Sequence, residues 1–147
     1  MTLFLASGIT THAQAPFAKD SEALDKVREA AFRHYMPKEG SKYEERVVCL
    51  SADKELSDEF VQRLSLRTAK VVRAAECLVD TTGVQLKTTK EFGVLTSVQS
   101  VKWLSGGEAE VEGGNYWSGI GATYSTLRIV YKKGKWVVKS EVITGVS

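Results

Sequence analysis

The chain has 147 residues, a mass of 16.2 kDa and a formal net charge of +2, from 20 Lys and Arg against 18 Asp and Glu. A hydrophobic fraction of 43 % and a charged fraction of 26 % are typical of a globular protein and exclude general disorder. A chain of this length builds one hydrophobic core, and its near-neutral balance does not indicate a nucleic-acid partner. Because only two Cys and two His are present, we expect no metal site and no cofactor.

The opening of the chain differs from the rest, because no charged residue precedes Lys19. A short apolar run is followed by small residues, and Ala13 and Ala15 each end a small-x-small triplet typical of signal-peptidase sites. We therefore predict that residues 1–18 are a clipped export signal, cut after Ala13, and that residues 19–147 form a single secreted or periplasmic domain. The alternative is an unstructured leader on a cytoplasmic protein. No other stretch is apolar for long enough to cross a membrane, so no transmembrane segment is expected.

Cysteine usage agrees with export. Cys49 and Cys77 are the only cysteines, and in an oxidising compartment they could close a loop of about 28 residues, worth roughly 3–4 kcal/mol on the chain-entropy model. The alternative is that each is a small apolar side chain buried in its own strand.

An amphipathic helix is predicted over residues 20–36. Polar residues, among them Lys26 and Arg28, occupy the opposite side, and Pro37 ends the helix. The apolar positions recur at helical spacing: Leu24, Val27, Ala31 and Tyr35.

Short elements follow. Strands are predicted over residues 46–50 and 69–75, and between them Ser57 caps a short helix. Residues 80–92 are polar and contain Gly83, which indicates a loop. The later part of the chain alternates strands and turns, with a bulge near Gln99, a bend at Gly113 and Gly114, and a final hairpin around 132–135.

Two charged patches lie on these late strands. Glu108, Glu110 and Glu112 alternate along one strand, which is typical of a solvated face paired with Arg128, Lys132 or Lys139. The final hairpin carries Lys132, Lys133, Lys135 and Lys139 beside Tyr131 and Trp136, a composition that can bind single-stranded nucleic acid. Export and the near-neutral total favour an ordinary soluble turn and no nucleic-acid partner.

This order predicts an α+β fold, with the N-terminal amphipathic helix packed on an antiparallel sheet of about 5–6 strands and one short extra helix. The helix, the long late strands and the segment Gly134-Lys-Trp136-Val-Val138 resemble the cystatin-like and NTF2-like superfamily, in which a curved sheet wraps a helix. The segment 109–116, with Gly119, Tyr124 and Trp136, also resembles a group of uncharacterised exported bacterial proteins. The superfamily contains enzymes, ligand carriers, immunity proteins and protease inhibitors, so the resemblance implies a fold and leaves the function open.

An aromatic set is the best candidate for ligand binding. In a curved sheet over a helix, inward aromatic side chains near the open end can line a pocket, and the alternative is core packing. Tyr116 and Trp117 are adjacent on a strand and should point to opposite faces. The predicted ligand-binding residues are Tyr35, Trp103, Tyr116, Trp117 and Tyr124.

We therefore predict an exported, non-enzymatic binding domain for a small molecule or a protein partner, with a sheet face available for pairing in a homodimer. One alternative is an NTF2-like enzyme with a pocket at the open end of the sheet and His34 or Tyr35 in acid–base roles. Another is an antagonist of the immunity or inhibitor type that acts through the loop 118–122.

Overall fold

A computed structural model describes residues 21–38, 46–66 and 69–147. The predicted leader, residues 1–18, lies outside the described residues. The elements are α1 (Ser21–Tyr35), β1 (Val47–Ala52), α2 (Asp58–Arg63), β2 (Val71–Arg73), a 3-10 turn (Ala74–Glu76), β3 (Cys77–Asp80), β4 (Gly83–Leu86), β5 (Gly93–Ser105), β6 (Glu108–Ser118), β7 (Gly121–Lys132) and β8 (Lys135–Val146).

The chain is a mixed α+β structure built on a six-stranded sheet in the order β2-β1-β5-β6-β7-β8. β5 to β8 are antiparallel neighbours, whereas β1 runs parallel to both β2 and β5. The expectation of a wholly antiparallel sheet is therefore wrong. Apolar alternation specifies the buried face of a strand but not its direction, and the strand–helix–strand order of β1, α2 and β2 provides the crossover that parallel strands require.

Several local predictions are confirmed. The Ser57 hydroxyl accepts a hydrogen bond from the Phe60 backbone N–H at 3.1 Å, so it caps α2 as expected. The β5–β6 register shifts between Val98 and Ser100, which places a bulge at the predicted position. The final hairpin turns between Lys132 and Lys135.

The main core lies between α1 and one face of the sheet. α1 packs on β5 to β8, and the apolar side chains between them are fully buried. Gly113 allows this close approach, because a Cβ there would lie 2.8 Å from the Tyr35 ring. The largest fully buried side chains of this core are Phe32, Phe60, Leu64, Leu127 and Ile129.

Arg28 is an exception to the predicted pattern, since it is only 6 % exposed rather than part of the solvated side of α1. Its guanidinium donates to both Asp53 carboxylate oxygens, at 2.7 and 2.9 Å, and to Asp25 at 3.0 Å. The Arg28 hydrogen bond holds the pKa of Asp53 below its ordinary value despite partial burial. A buried cation is tolerated here because two carboxylates neutralise it.

The opposite face of the sheet is partly covered by the β3–β4 hairpin, which forms a second apolar cluster with Val47 and Tyr116. Cys49 on β1 and Cys77 on β3 are joined by a disulfide with an S–S distance of 2.10 Å. The prediction of a continuous loop over residues 80–92 is wrong, because β4 lies within it. Four-residue strands are too short for a firm periodic signal.

Candidate functional site

The five predicted aromatic residues do not converge on one pocket. Tyr35, Trp103 and Trp117 pack on the α1 side of the sheet, and Trp103 stacks with Trp136 at a centroid distance of 5.5 Å. Tyr116 belongs to the cluster on the opposite face, which confirms that it and Trp117 point in opposite directions. Tyr124 lies opposite Gly114, two residues along β6 from Tyr116. Of the five, only Trp117 lines an open cleft described here.

A hydrogen-bond network fixes the end of α1 to the sheet. The Tyr35 hydroxyl donates to the Ser125 carbonyl oxygen at 3.0 Å, and the Tyr35 carbonyl accepts from the Asn115 amide at 2.7 Å. The buried Thr96 hydroxyl donates to the Asn115 side-chain oxygen at 2.7 Å. Burial raises the pKa of Tyr35 to about 12, and the nearby Glu141 carboxylate adds to that rise against the opposing Ser125 hydrogen bond.

The residues considered for acid–base chemistry belong to the edge of this network. His34 Nε2 lies 2.9 Å from Glu141 Oε1, and the Ser125 hydroxyl donates to the other Glu141 oxygen at 2.7 Å. Burial alone would raise the pKa of Glu141, but the hydrogen bonds from Ser125 and His34 outweigh it and lower that pKa.

This arrangement is poorly suited to catalysis. The carboxylate stands between the imidazole and the hydroxyl, so His34 does not contact Ser125. The base that does contact it, Glu141, has a lowered pKa and is a poor proton acceptor for activating a hydroxyl. Tyr35 and Ser125 are only 7 % and 2 % exposed, which leaves no room for a substrate at either hydroxyl. The space between α1 and the sheet is filled by apolar side chains. We infer that this network stabilises the position of α1.

An open cleft of about 400 Å³ lies at the end of β6, beside Trp117. Trp117 and Phe92 provide apolar walls, and the Phe92 side chain is 64 % exposed. The cleft is also lined by the Arg46 guanidinium and by the hydroxyl groups of Thr82 and Ser118. Glycines and an aliphatic side chain complete the lining: Gly83, Val84, Gly93 and Gly121.

Two turns frame the cleft and are tied together. The Asp80 carboxylate accepts from the Thr82 hydroxyl and backbone N–H at 2.6 and 2.9 Å, and these bonds lower the pKa of Asp80. The Tyr116 hydroxyl donates to the Asp80 carbonyl at 2.7 Å. The backbone N–H of Gly119, in the turn between β6 and β7, donates to Thr81 at 3.0 Å. The cleft walls are therefore held in place before any ligand binds.

Sequence reasoning missed most of this cleft. Thr82 and Phe92 lie in the segment predicted to be a loop, and Arg46 lies at the start of a predicted strand. The available signal was the alternation of Val84 and Leu86 after Gly83, which indicates a short half-buried strand.

The acidic strand behaves as predicted at one position. Arg128 donates to the Glu108 carboxylate across the β6–β7 pair at 2.6 Å, which confirms the expected cross-strand pairing with Arg128.

Over residues 21–38, 46–66 and 69–147, no three His, Cys, Asp or Glu side chains are grouped so as to hold a metal ion. None of the helices in those ranges combines the length and apolarity needed to cross a bilayer. Comparisons with protein-family models, with curated proteins and with solved structures find no match to this chain. The resemblance to the cystatin-like and NTF2-like superfamily therefore stays a prediction.

Proposed function

We propose that the chain is an exported, non-enzymatic binding domain of NTF2-like or cystatin-like architecture that binds a small molecule in the cleft beside Trp117. The architecture is supported by α1 lying on four consecutive antiparallel strands, β5 to β8. The parallel pairing of β1 is an addition to that pattern.

The single observation that carries the binding function is the pre-built cleft itself. Its Phe92 ring is largely exposed, so a ligand that covers this ring would remove apolar surface from water. With Trp117 as the other apolar wall and Arg46 as the cation, the cleft suits a flat apolar ligand that carries an anionic group.

Anilinonaphthalene sulfonate, a flat aromatic anion, is a suitable probe. Its fluorescence should report saturable one-to-one binding to the native protein. Phe92→Ser and Arg46→Gln should each weaken that binding about tenfold, which corresponds to the loss of about 1.4 kcal/mol of contact. The matched control is Leu104→Ser, because Leu104 is another exposed apolar side chain, 40 % exposed at the far end of β5. Absence of saturable binding, or an equal loss in the control, would contradict the proposed cleft.

Export is supported by the disulfide, since such bonds persist in oxidising compartments. Cells that express the full chain should release it to the periplasm or medium, cleaved after Ala13 and without free thiols. Mass spectrometry of the fractions measures all three properties. A full-length, reduced protein in the cytoplasm would contradict export.

A protein antagonist is a second candidate, favoured by one observation. Ile120, at the tip of the β6–β7 turn, is 90 % exposed, and its neighbours Ser118 and Gly121 line the cleft. An apolar tip on a tethered turn suits insertion into a partner protein. Loss of a partner in pull-down from Ile120→Ser, with retention of probe binding, would distinguish this function from small-molecule binding.

A further inference from the structure

The turn between β7 and β8, residues 132–135, lies at the opposite end of these strands from the cleft. It contains three lysines, and we call it the lysine turn. Lys132 and Lys135 are directly opposite each other in the strand pair. Like charges in that position destabilise a hairpin. Lys133 adopts a φ of 52°, in the left-handed region that favours Gly or Asn. In the described part of the chain, no carboxylate pairs with any of these three ammonium groups.

A groove of about 440 Å³ adjoins the lysine turn. Trp136 and Ala30 line its apolar part, while Gly134 and Lys135 belong to both the groove and the turn. Its remaining charged lining comes from α1 and α2: Lys26, Glu29, Arg33 and Arg63. The lining thus has four cationic side chains and one carboxylate, and Glu29 already pairs with Arg33 and Arg63 at 2.9 and 3.0 Å.

We propose that the lysine turn and this groove form a second binding site, for a short acidic glycan. The ammonium groups would contact its sulfate or carboxylate groups, and a sugar ring would lie on Trp136. The ring of Trp136 makes tilted contacts with the rings of Trp103 and Tyr131, at centroid distances of 5.5 and 5.2 Å, and these contacts make it a rigid surface. A rigid aromatic surface with cations around it recognises a ligand that has both an apolar face and negative charge.

The geometry favours a glycan over single-stranded nucleic acid. Nucleic-acid binding uses several aromatic side chains in succession, one for each stacked base. Among the described residues, Trp136 is the only aromatic side chain that lines this groove. The groove holds about 440 Å³, which restricts the ligand to a short one.

The binding energy would offset the intrinsic cost of the lysine turn. Residues that conflict with local preferences commonly mark functional sites. Removing the like charges should therefore abolish binding of the acidic glycan without lowering the stability of the protein. A purely structural role for these lysines would produce the reverse.

The test uses a heparin hexasaccharide as the probe, measured by calorimetry at about 50 mM salt, where electrostatic attraction is screened little. The triple variant Lys132→Gln, Lys133→Gln, Lys135→Gln should bind at least tenfold more weakly with an unchanged or higher melting temperature. The control triple variant Lys70→Gln, Lys87→Gln, Lys90→Gln removes the same charge from exposed positions outside the turn and should bind within about twofold of the wild type.

Two further ligands complete the test. A neutral hexasaccharide should bind more weakly than the acidic one, and a single-stranded oligothymidine of equal charge should bind at least tenfold more weakly. No binding of the acidic probe, equal losses in both triple variants, or equal affinity for the oligothymidine would each overturn the proposal. Because the proposed cleft lies elsewhere, binding of anilinonaphthalene sulfonate should persist in the lysine-turn variant.

Discussion

The two ends of the long strands differ in how fully their polar side chains are hydrogen-bonded or paired. At the bonded end, which we define by Tyr35, Thr96, Asn115 and Ser125, each of these side chains has a hydrogen-bond partner within 3.0 Å. At the lysine turn, Lys132 and Lys135 are partners across the strand pair and Lys133 has a left-handed backbone.

The Trp103 indole N–H adds to the contrast, because it is buried near that second end without a hydrogen-bond acceptor among the described residues. Buried polar groups are usually satisfied, so an indole N–H without an acceptor near a turn with like charges is informative. We infer that the bonded end maintains the fold, whereas the lysine turn retains residues for binding. Substitutions should therefore destabilise the first end and leave the second unharmed or improved.

The largest expected effect comes from the disulfide near the bonded end. Replacing both cysteines, as Cys49→Ala with Cys77→Ala, should lower the free energy of unfolding by about 3–4 kcal/mol, because the unfolded chain loses a constraint over its loop. Urea denaturation measures this change. The reduced wild-type protein serves as a control and should be destabilised by a similar amount. A loss below about 1 kcal/mol in both would show that the β3–β4 hairpin is held by packing alone.

The second effect concerns Asn115. Asn115→Ala leaves the buried Thr96 hydroxyl and the Tyr35 carbonyl without their partner, which should cost about 2–4 kcal/mol of unfolding free energy. Chemical denaturation measures the change. Gln99→Ala, at an exposed position on β5, should change the stability by less than about 0.5 kcal/mol. If both variants were equally stable, the network would not be what anchors α1.

The third effect is a dependence on alkaline pH. Burial raises the pKa of Tyr35 to about 12, above its ordinary value, so the neutral phenol is the form that the fold stabilises. This contribution is complete below about pH 10 and is lost as the pH rises toward 12, by about 2 kcal/mol. Ultraviolet titration of the five tyrosines should reveal one phenol that ionises late, and Tyr35→Phe should remove that step. Retention of the late step in Tyr35→Phe would assign it to another tyrosine.

The bonded end also marks the limit of what sequence reasoning can predict. The spacing of Val27, Ala31 and Tyr35 predicted a buried helix face, because helical periodicity is a local property. It placed Arg28 on the solvated side, since periodicity records polarity and contains no information about Asp53, 25 residues away along the chain. Partners that distant are brought together by the fold alone.

The sheet and the cleft illustrate the same limit. Long strands such as β7 and β8 were predicted because alternation over many residues is a strong signal, whereas the four-residue β4 was assigned to a loop. The direction of β1 was also not predictable from its apolar residues. Trp117 was singled out as an aromatic candidate and lines the cleft, but its neighbours there were not predicted. Thr82 lies in the turn of the β3–β4 hairpin, and Phe92 forms an isolated bridge with Gln85 of that hairpin.

The smallest expected effect is a gain at the lysine turn. Lys133→Gly removes a side chain from a backbone with φ 52° and one of three adjacent positive charges, so it should stabilise the protein by about 0.5–1 kcal/mol. The control is Lys87→Gly, in the loop between β4 and β5, because Lys87 itself does not have a positive φ. At Lys87, glycine raises the conformational entropy of the unfolded chain, which should lower the free energy of unfolding by up to about 1 kcal/mol. Thermal and urea denaturation of both variants measure the difference. If Lys133→Gly lost as much stability as Lys87→Gly, the lysine turn would carry no conflict, and the contrast between the two ends would rest on the bonded end alone.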